Sequence, residues 1–178
     1  GFLKRNYIKV ILSKCDYFLA IGSENALYYR DRGVSGERIF SMPYAVDNDY
    51  FADLARQSVA TQGELRAKLG IKPCQPVILY VGKLSRRKRL DILIKAFYEV
   101  ERVAVKPVLV IVGEGELKGQ LIKNAPSVKF PGFVNQSQLP AFYALADVFV
   151  LPSEKEPWGL VVNEAMACGT PVVVSNQV

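Results

Sequence analysis

The stretch PVILYVGKLSRRKRLDILIKAF, from Pro76 to Phe97, contains a strand pattern, a turn pattern and a helix pattern in direct succession. Pro76 to Gly82 is a continuous apolar run, which is typical of a strand buried on both faces of a parallel sheet. Apolar residues then recur at helical spacing, at Leu90, Leu93, Ile94, Phe97 and Val100. This stripe indicates a helix that packs on the sheet. The stretch therefore predicts one strand–helix unit of an α/β fold.

Strand and helix patterns alternate on both sides of this stretch. Further strand patterns occupy residues 106–113, 127–130, 147–151 and 170–174, and further helix patterns occupy residues 63–70, 114–125, 136–145 and 160–168. Alternating strands and helices with short connections predict an α/β fold with a Rossmann-like, doubly wound parallel sheet and right-handed crossovers. Ligands of such sheets bind beyond the carboxyl ends of the strands. The loops to search therefore follow Val81, Val112, Phe130 and Leu151.

The N-terminal part of the chain holds two shorter units of the same kind. Helix patterns lie at residues 1–14 and 24–33, and strand patterns lie at 16–22 and 38–43. Residues 44–62 show no period of two and predict a connector with at most a turn of helix. The chain begins without methionine and ends directly after a predicted strand, so we expect it to be a piece of a longer protein.

The composition narrows the class of protein. Half of the 178 residues are apolar and 22% are charged, as in soluble globular domains. No apolar run reaches the roughly 20 residues of a membrane-spanning helix, and no secretory signal pattern is present. The net charge of +6 favours anionic partners, although solvated lysines are the commoner cause of such a charge.

The histidine and cysteine content excludes several kinds of site. The chain has no histidine, and its three cysteines, Cys15, Cys74 and Cys168, form no CxxC pair. A zinc site is therefore not expected. An odd cysteine count suits a reducing cytoplasm better than a disulfide framework, so we predict a cytoplasmic location. Without histidine, Ser-His-Asp and Cys-His catalysis are excluded within this chain.

The loop after Val81 crowds cations at the start of a predicted helix. Gly82 allows a sharp turn, and the basic residues that follow it are Lys83, Arg86, Arg87, Lys88 and Arg89. A helix N-terminus favours anions, and neighbouring cations strengthen that preference. A phosphate site and a solvated basic turn are both open readings of this loop. A nucleic-acid surface is less favoured, because no basic stripe or set of interleaved aromatic residues continues elsewhere.

The loops after Val112 and Phe130 carry weaker signals. VGEGEL does not complete the G-x-G-x-x-G pattern of dinucleotide sites, since Gly119 falls one place late. Its acidic residues would repel a pyrophosphate, so we expect a tight turn. Pro131 and Gly132 in FPGFV predict another turn, which would bring backbone close to a ligand.

The loop after Leu151 contains two acids, Glu156 and Glu164, separated by Pro157 and Gly159. Pro157 prevents the helix from extending back over Glu156, so this acid belongs to the loop. Gly159 has no Cβ and permits a ligand to approach bare amides. Glu164 lies further along the predicted helix, so the two acids do not share a helix face. They are either a loop acid and a helix acid without a common role, or two groups that meet one ligand.

Taken together, the motifs resemble the retaining glycosyltransferases of family 4, which have the GT-B fold. VGKLSRRKRLDILIKAF resembles the basic phosphate-binding loop and helix of that family, and PYAVDNDYF resembles its inter-domain segment. VGEGEL and FPGFVNQSQLPAFYALADVFVLPS follow in the expected order. EKEPWGLVVNEAMACGTPVVVS matches the E-x7-E signature, the most specific element. The resemblance covers nearly the whole chain.

The resemblance implies a division of the chain. Residues 1–42 are similar to the last βα units of an N-terminal acceptor domain, and residues 43–60 to the inter-domain linker. Residues 61–178 are similar to the C-terminal nucleotide-sugar-binding domain, truncated at its end. The chain would then hold the C-terminal half of a GT-B fold in incomplete form.

The resemblance also implies roles for side chains in the donor site. Lys83 and Lys88, beside Gly82, would contact the donor diphosphate. Glu156 would accept hydrogen bonds from hydroxyls of the transferred sugar, and Glu164 from hydroxyls of the ribose. The groups assigned to catalysis are Glu156, Lys83 and Lys88. The family usually has arginine at the first of these lysines, so Lys83 supplies a point charge where a bidentate fork is common.

Backbone groups complete the implied donor site. Amides around Trp158, Gly159 and Leu160 would meet the phosphates, and backbone near Phe133 and Val134 would meet the base. Trp158 stands where phenylalanine is common in the family. No metal and no cofactor are implied, because the nucleotide-diphosphate sugar is itself a substrate.

The implied function is transfer of a sugar from a nucleotide-diphosphate donor to a glycan, lipid or small acceptor, as in polysaccharide biosynthesis. The acceptor would bind mainly to the N-terminal domain. The alternatives are a nucleotide-sugar 2-epimerase of similar fold, a noncatalytic nucleotide-binding module and a nucleic-acid-binding module. The ordered loops argue against the epimerase, and the intact lysines and glutamates argue against a decayed module. The basic, apolar N-terminal helix has two uses, core packing and peripheral contact with an anionic membrane face, of which core packing is the commoner.

Overall fold

The computed structural model describes residues 2–102 and 106–178. Within these ranges the chain divides into two compact units, one ending at Ala45 and the other running from Val46 to Val178. No helix in the described ranges is long and apolar enough to cross a membrane. The predicted helix 1–14 starts at Gly1, and the helix pattern KRLDILIKAFYEVERV ends at Val103; these two residues lie outside the described ranges.

The first unit has the helix–strand–helix–strand order that the sequence predicts. Its elements are α1 (Phe2–Leu12), β1 (Phe18–Ala20), α2 (Ser23–Arg30) and β2 (Ile39–Ser41). β1 and β2 pair in parallel, with Phe18 opposite Ile39. Phe18 and Ala20 are buried, whereas Leu19 between them is exposed, so β1 presents one face to the interior of this unit.

The second unit is built on a parallel sheet. Its strands are β3 (Val77–Val81), β4 (Val108–Val112), β5 (Lys129–Gly132), β6 (Val148–Leu151) and β7 (Val172–Val174). Their spatial order is β5-β4-β3-β6-β7, and every recorded pairing is parallel. The order runs outward from β3 in both directions, which is the Rossmann-like, doubly wound arrangement. The predicted fold class is confirmed, and its topological switch point lies between β3 and β6.

Helices of the second unit connect these strands and bury the sheet. They are α3 (Asn48–Ser58), α4 (Gln62–Leu69), α5 (Leu90–Glu101), α6 (Lys118–Asn124), α7 (Leu139–Leu145) and α8 (Leu160–Ala167). All residues of β4 are buried, as expected for a central strand covered on both faces. Gly70, the last residue of the helix pattern 63–70, ends α4 in the left-handed region, at φ +64°. α7 begins three residues later than the predicted helix 136–145, because Pro140, fixed near helical φ and lacking an N–H, suits the first turn.

The segment expected to be a connector instead forms α3. The carboxylate of Asp47 accepts a hydrogen bond from the amide of Tyr50 at 3.0 Å and caps the helix. Phe51 and Ala55, one helical turn apart, are both buried. The ring of Phe51 is 1% exposed and its centroid lies 6.4 Å from that of Tyr143 on α7. A capped amphipathic helix therefore ties residues 48–58 to the core of the second unit.

The turns after β3 and β4 pack backbone against backbone. The amide of Leu84 donates to the carbonyl of Glu114 at 2.9 Å, and the amide of Leu117 donates to the carbonyl of Leu84 at 3.2 Å. A Cβ on Gly115 would lie 2.3 Å from the carbonyl oxygen of Leu84, closer than real Cβ contacts allow. Gly115 is therefore required, because a larger residue would not fit where the two loops approach each other at the carboxyl edge of the sheet.

Replacement of Phe51 by alanine should destabilise the second unit by about 3–5 kcal/mol, the usual cost of removing a buried ring. The measurement is the free energy of unfolding from a urea titration. Tyr50→Ala is the matched control, because Tyr50 is 41% exposed on the same helix and its loss should cost much less. Equal losses for the two variants would contradict the packing of α3 on the core.

Gly115 and Gly119, four positions apart, should respond oppositely to replacement by alanine. Gly115→Ala should lower the unfolding free energy by about 1–3 kcal/mol, since the added methyl group overlaps a carbonyl. Gly119→Ala should raise it by about 0.5–1 kcal/mol, because Gly119 lies in α6 and nothing is within 4 Å of its Cβ position. The sign of the shift in urea midpoint distinguishes the two outcomes.

Candidate functional site

The loops after β3 and β6 meet at the switch point of the sheet. The amide of Glu154 donates to the carbonyl of Arg87 at 2.8 Å, so the two loops are joined through backbone. Beside this bond, the ammonium group of Lys88 forms an ion pair with the carboxylate of Glu156. Two of the residues assigned to catalysis, 68 positions apart in sequence, are thus brought together.

The Lys88–Glu156 pair is buried. The two side chains are 8% and 9% exposed. The hydroxyl of Ser153, itself fully buried, donates a second hydrogen bond to Oε2 of Glu156 at 3.1 Å. Removing two charges from water costs several kcal/mol per ion, and a pair repays this cost only when its remaining hydrogen bonds are satisfied. Such a pair is therefore weak evidence for a role in stability.

The other cations of the basic loop differ from Lys88. Lys83, Arg86 and Arg87 are exposed, whereas Arg89 pairs with Asp91 at 3.0 Å. A side chain of β3 stabilises the turn at Lys83, because the buried hydroxyl of Tyr80 donates a hydrogen bond to the carbonyl of Lys83 at 3.1 Å. Burial, and after it the charge of Glu156, raises the pKa of the Tyr80 hydroxyl, so this group remains a donor. Among the basic residues of this loop, Lys88 is thus buried, whereas Lys83, Arg86 and Arg87 are exposed to solvent.

The start of α8 lies against the same pair. Gly159 adopts the left-handed conformation at φ +70°, and a Cβ there would lie 3.3 Å from Cγ of Glu156. No side chain caps α8. Among the described residues, no hydrogen bond is recorded from the amides of Gly159 and Leu160. Open amides beside a buried cation are an arrangement that favours anions. Pro157 precedes the helix, and Glu156 belongs to the loop, as predicted.

Glu164 has a different partner from Glu156. It lies within α8, and the hydroxyl of Tyr143 on α7 donates to its Oε2 at 2.7 Å. Burial raises the pKa of the Glu164 carboxyl, and the hydrogen bond from Tyr143 lowers it by a smaller amount. Burial, followed by the charge of Glu164, raises the pKa of the Cys168 thiol to about 11. Glu164 is therefore an acid that gains a hydrogen bond but no cation from the residues described around it.

Phe133 and Val134, the predicted neighbours of the base, line a separate cleft of about 830 Å³ between α4, β5 and α7. Phe133 is 72% exposed. Glu156 and Trp158 line a smaller cavity of about 290 Å³. The structure thus brings Lys88, Glu156 and Gly159 together, with Gly82 directly after β3. It places Phe133 and Val134 after β5, which β4 separates from β3.

Sequence patterns did not indicate three residues of this region, namely Ser153, Tyr80 and Tyr143. Ser153 and Tyr80 support Glu156 and the turn at Lys83. Tyr143 supports Glu164 from 21 positions away. Each lies in an apolar pattern or a loop that predicts only a strand, a helix or a turn. The single available signal was the hydroxyl group itself, since buried tyrosine and serine hydroxyls require partners.

Comparison with solved structures places the fold among glycosyltransferases. Anabaena HepE in complex with UDP-glucose has a TM-score of 0.73 and 25% sequence identity, over 91% of this chain and 45% of that one. The sucrose-phosphate synthase of Thermosynechococcus elongatus has a TM-score of 0.76 and 28% identity, over 99% of this chain and 44% of that one. The fold is therefore that of GT-B glycosyltransferases, and this chain spans less than half of each of these two structures.

The sequence gives the family. Residues 61–178 match the family described as Glycosyl transferases group 1, and the chain belongs to that family. It is 32% identical to the mannosylfructose-phosphate synthase of Agrobacterium fabrum over 181 aligned residues, which cover 93% of this chain. It is 42% identical to an uncharacterized glycosyltransferase of Methanocaldococcus jannaschii over 62% of this chain. The chain spans 39% and 30% of the lengths of these two relatives. The resemblance that the motifs indicated is confirmed at the level of this family.

Glu164→Gln should stabilise the chain increasingly as the pH rises. The raised pKa of Glu164 means that the native state holds this proton more tightly than the unfolded chain does. The resulting stability is complete below the ordinary glutamate range, about pH 4.3, and is lost as the pH rises through the raised pKa. Glutamine removes this loss and keeps an acceptor for Tyr143. Urea titrations between pH 4 and 8 measure the difference.

The control for this titration is Glu64→Gln, which removes an exposed carboxyl on α4. Its unfolding free energy relative to the unsubstituted chain should change little with pH. If the advantage of Glu164→Gln is the same at pH 4 and pH 8, Glu164 does not carry a strained charge.

Proposed function

We propose that the second unit binds a nucleotide-diphosphate sugar, and that the protein transfers the sugar with retention of configuration, without a metal, as a family 4 enzyme. The observation that carries the proposal is the buried Lys88–Glu156 pair beside the uncapped start of α8. It supplies a cation, a carboxylate and open amides at the switch point, where doubly wound sheets bind ligands.

The charges of this site suit the transfer of a sugar from a diphosphate. Breaking the bond between sugar and phosphate builds negative charge on the leaving diphosphate and positive character on the anomeric carbon. Lys88, Lys83 and the open amides of Gly159 and Leu160 would stabilise the leaving group. One preorganised donor of this kind contributes about 3–4 kcal/mol. Glu156 would accept charge-assisted hydrogen bonds from sugar hydroxyls.

Binding of a donor would replace the Lys88–Glu156 pair by two new partners. The ammonium would turn to a phosphate oxygen, and the carboxylate would turn to hydroxyl groups of the sugar. Each charge then keeps a polar partner and avoids the penalty of being buried alone. In the absence of the donor, the carboxylate of Glu156 would thus occupy the place of the phosphate as partner of Lys88. The ammonium of Lys88 would occupy the place of the sugar hydroxyls as partner of Glu156.

The solved relatives support this class of ligand. HepE was crystallised with UDP-glucose, and its fold matches this chain over 91% of the residues. Glu164 would meet the ribose, and the backbone near Phe133 and Val134 would meet the base, as the family resemblance implies. The amides near Trp158 would complete the phosphate site. The proposal includes no cofactor and no nucleic-acid partner.

The remaining proposals concern the whole protein. Residues 1–42 would belong to an acceptor domain, residues 43–60 to the link between domains and residues 61–178 to the donor domain. The acceptor would be a glycan, a lipid or a small molecule, as in polysaccharide biosynthesis. We place the reaction in the cytoplasm, with the inner membrane face as the site of any peripheral contact. This chain alone should bind a nucleotide weakly and transfer no sugar.

Calorimetric titration with UDP, GDP, ADP and UDP-glucose tests donor binding. One nucleotide should bind more tightly than the others. Lys88→Met should weaken its binding about 10- to 100-fold, because a hydrogen bond from a charged group contributes about 1.5–3 kcal/mol. Lys95→Met is the matched control, since it removes the same charge from an exposed position on α5 and should leave the affinity unchanged.

Folding has to be separated from binding in this test, because Lys88→Met leaves Glu156 buried without its cation. The double variant Lys88→Met with Glu156→Gln removes both charges and should fold yet still bind weakly. Equal affinities for the unsubstituted chain and the double variant would overturn the proposed site. Tight oligonucleotide binding with a steep salt dependence, and no preference among nucleotides, would favour the nucleic-acid alternative.

A further inference from the structure

The environment of Glu164 contains a contact that the donor-binding proposal does not use. Tyr143 is fully buried, and its hydroxyl reaches Oε2 of Glu164 at 2.7 Å across the interface of α7 and α8. Glu164 is 9% exposed. Among the residues that the structure describes, this is the one hydrogen bond recorded to the Glu164 carboxylate. The second oxygen, Oε1, therefore keeps its acceptor capacity.

Tyr143 is itself held in place on three sides. Its ring centroid lies 5.8 Å from that of Phe149 on β6, edge to face, and 6.4 Å from that of Phe51 on α3. Its carbonyl accepts a hydrogen bond at 2.7 Å from the hydroxyl of Thr170, which is also buried. A side chain fixed by packing and hydrogen bonding can define the position of the group that it contacts.

We propose that Tyr143 is a positioning residue for Glu164: its hydroxyl holds Oε2, so that Oε1 is presented to the two adjacent hydroxyl groups of a nucleotide ribose. The inference rests on the proposed function and adds Tyr143 to it, a residue that would act through Glu164 without contacting the ligand itself. Buried carboxylates rotate about their terminal torsion unless a partner fixes them, because that torsion is broad. A fixed oxygen lowers the loss of side-chain freedom when a ligand binds.

The same hydrogen bond favours the charged form of Glu164. The titratable groups that the structure records against this carboxylate are Tyr143 on α7 and Cys168 on α8. Burial, the charge of Glu164 and the hydrogen bond raise the pKa of the Tyr143 hydroxyl, so it stays a donor. The raised pKa of Cys168, about 11, keeps the thiol neutral. α3 and β6 contribute the apolar rings of Phe51 and Phe149 to the Tyr143 ring.

Tyr143→Phe tests the role with the shape of the core retained. Loss of the hydroxyl should raise the pKa of Glu164, because a stabilising partner of the carboxylate is removed. The acid side of the affinity–pH profile for UDP, or for whichever nucleoside diphosphate binds, should then move to higher pH. At neutral pH the affinity should fall about 3- to 10-fold, the effect of one hydrogen bond.

Thr170→Val is the matched control. It removes a buried hydrogen bond of similar length from the same cluster but leaves the Tyr143 hydroxyl on Glu164. Its urea midpoint should fall as for Tyr143→Phe, while its affinity–pH profile should follow that of the unsubstituted chain. A second readout needs no ligand: the ¹³C carboxyl resonance of Glu164, assigned through Glu164→Gln, should titrate at higher pH in Tyr143→Phe only.

The outcomes separate the two proposals. If the unsubstituted chain binds no nucleoside diphosphate, the proposed function is wrong, while the carboxyl titration still decides whether Tyr143 controls Glu164. If it binds one, and Tyr143→Phe gives a superimposable profile and an unchanged carboxyl titration, the positioning role of Tyr143 is overturned. A profile shift of equal size in Thr170→Val would also overturn it, because the effect would then be structural.

Discussion

The double pairing of β3, with β4 on one side and β6 on the other, is the constraint on which the second unit depends. Parallel strands require crossovers, and right-handed crossovers that leave a strand in opposite directions lie on opposite faces of the sheet. In sheets of this kind, the loops at the carboxyl ends of the strands on either side of the switch point border the ligand crevice. Lys88 and Glu156 lie in the loops after β3 and β6, so the strand order brings their loops side by side.

Glu156 and Glu164, the two glutamates of EPWGLVVNEAM, are both buried but have different partners for their carboxylates. Glu156 is neutralised by a cation and receives a hydroxyl from Ser153. Glu164 receives only the hydroxyl of Tyr143 from the residues described, and burial still raises its pKa. A carboxylate that costs stability is a common mark of a binding site, because stability and function place different demands on the same residue. The charge of Glu156 is therefore compensated by a cation, whereas the charge of Glu164 lowers the stability of the folded chain.

Local patterns predicted the parts of the fold that local forces decide. The apolar run of β3, the stripe of α5, Gly70 at the end of α4 and the break at Pro157 were all recognisable in the sequence. The partners of the site residues were not, because Lys88 and Glu156 lie 68 positions apart and Tyr143 and Glu164 lie 21 apart. α3 was missed for a related reason, since the burial of Phe51 depends on contacts with distant helices. The order of strands in the sheet brings residues that are distant in sequence close together, and a short stretch of sequence does not reveal that order.

The basic loop divides its cations between two environments, and this division has a kinetic consequence. Lys83, Arg86 and Arg87 stand in solvent, whereas Lys88 is buried and already neutralised by Glu156. The long-range field that an approaching anion meets comes from the exposed group, so the encounter rate and its salt dependence belong to those residues. In the proposed site, Lys88 would act only after the anion has entered and displaced Glu156, so its contribution would be to residence time. Attraction and retention of an anion would then depend on different residues of one loop.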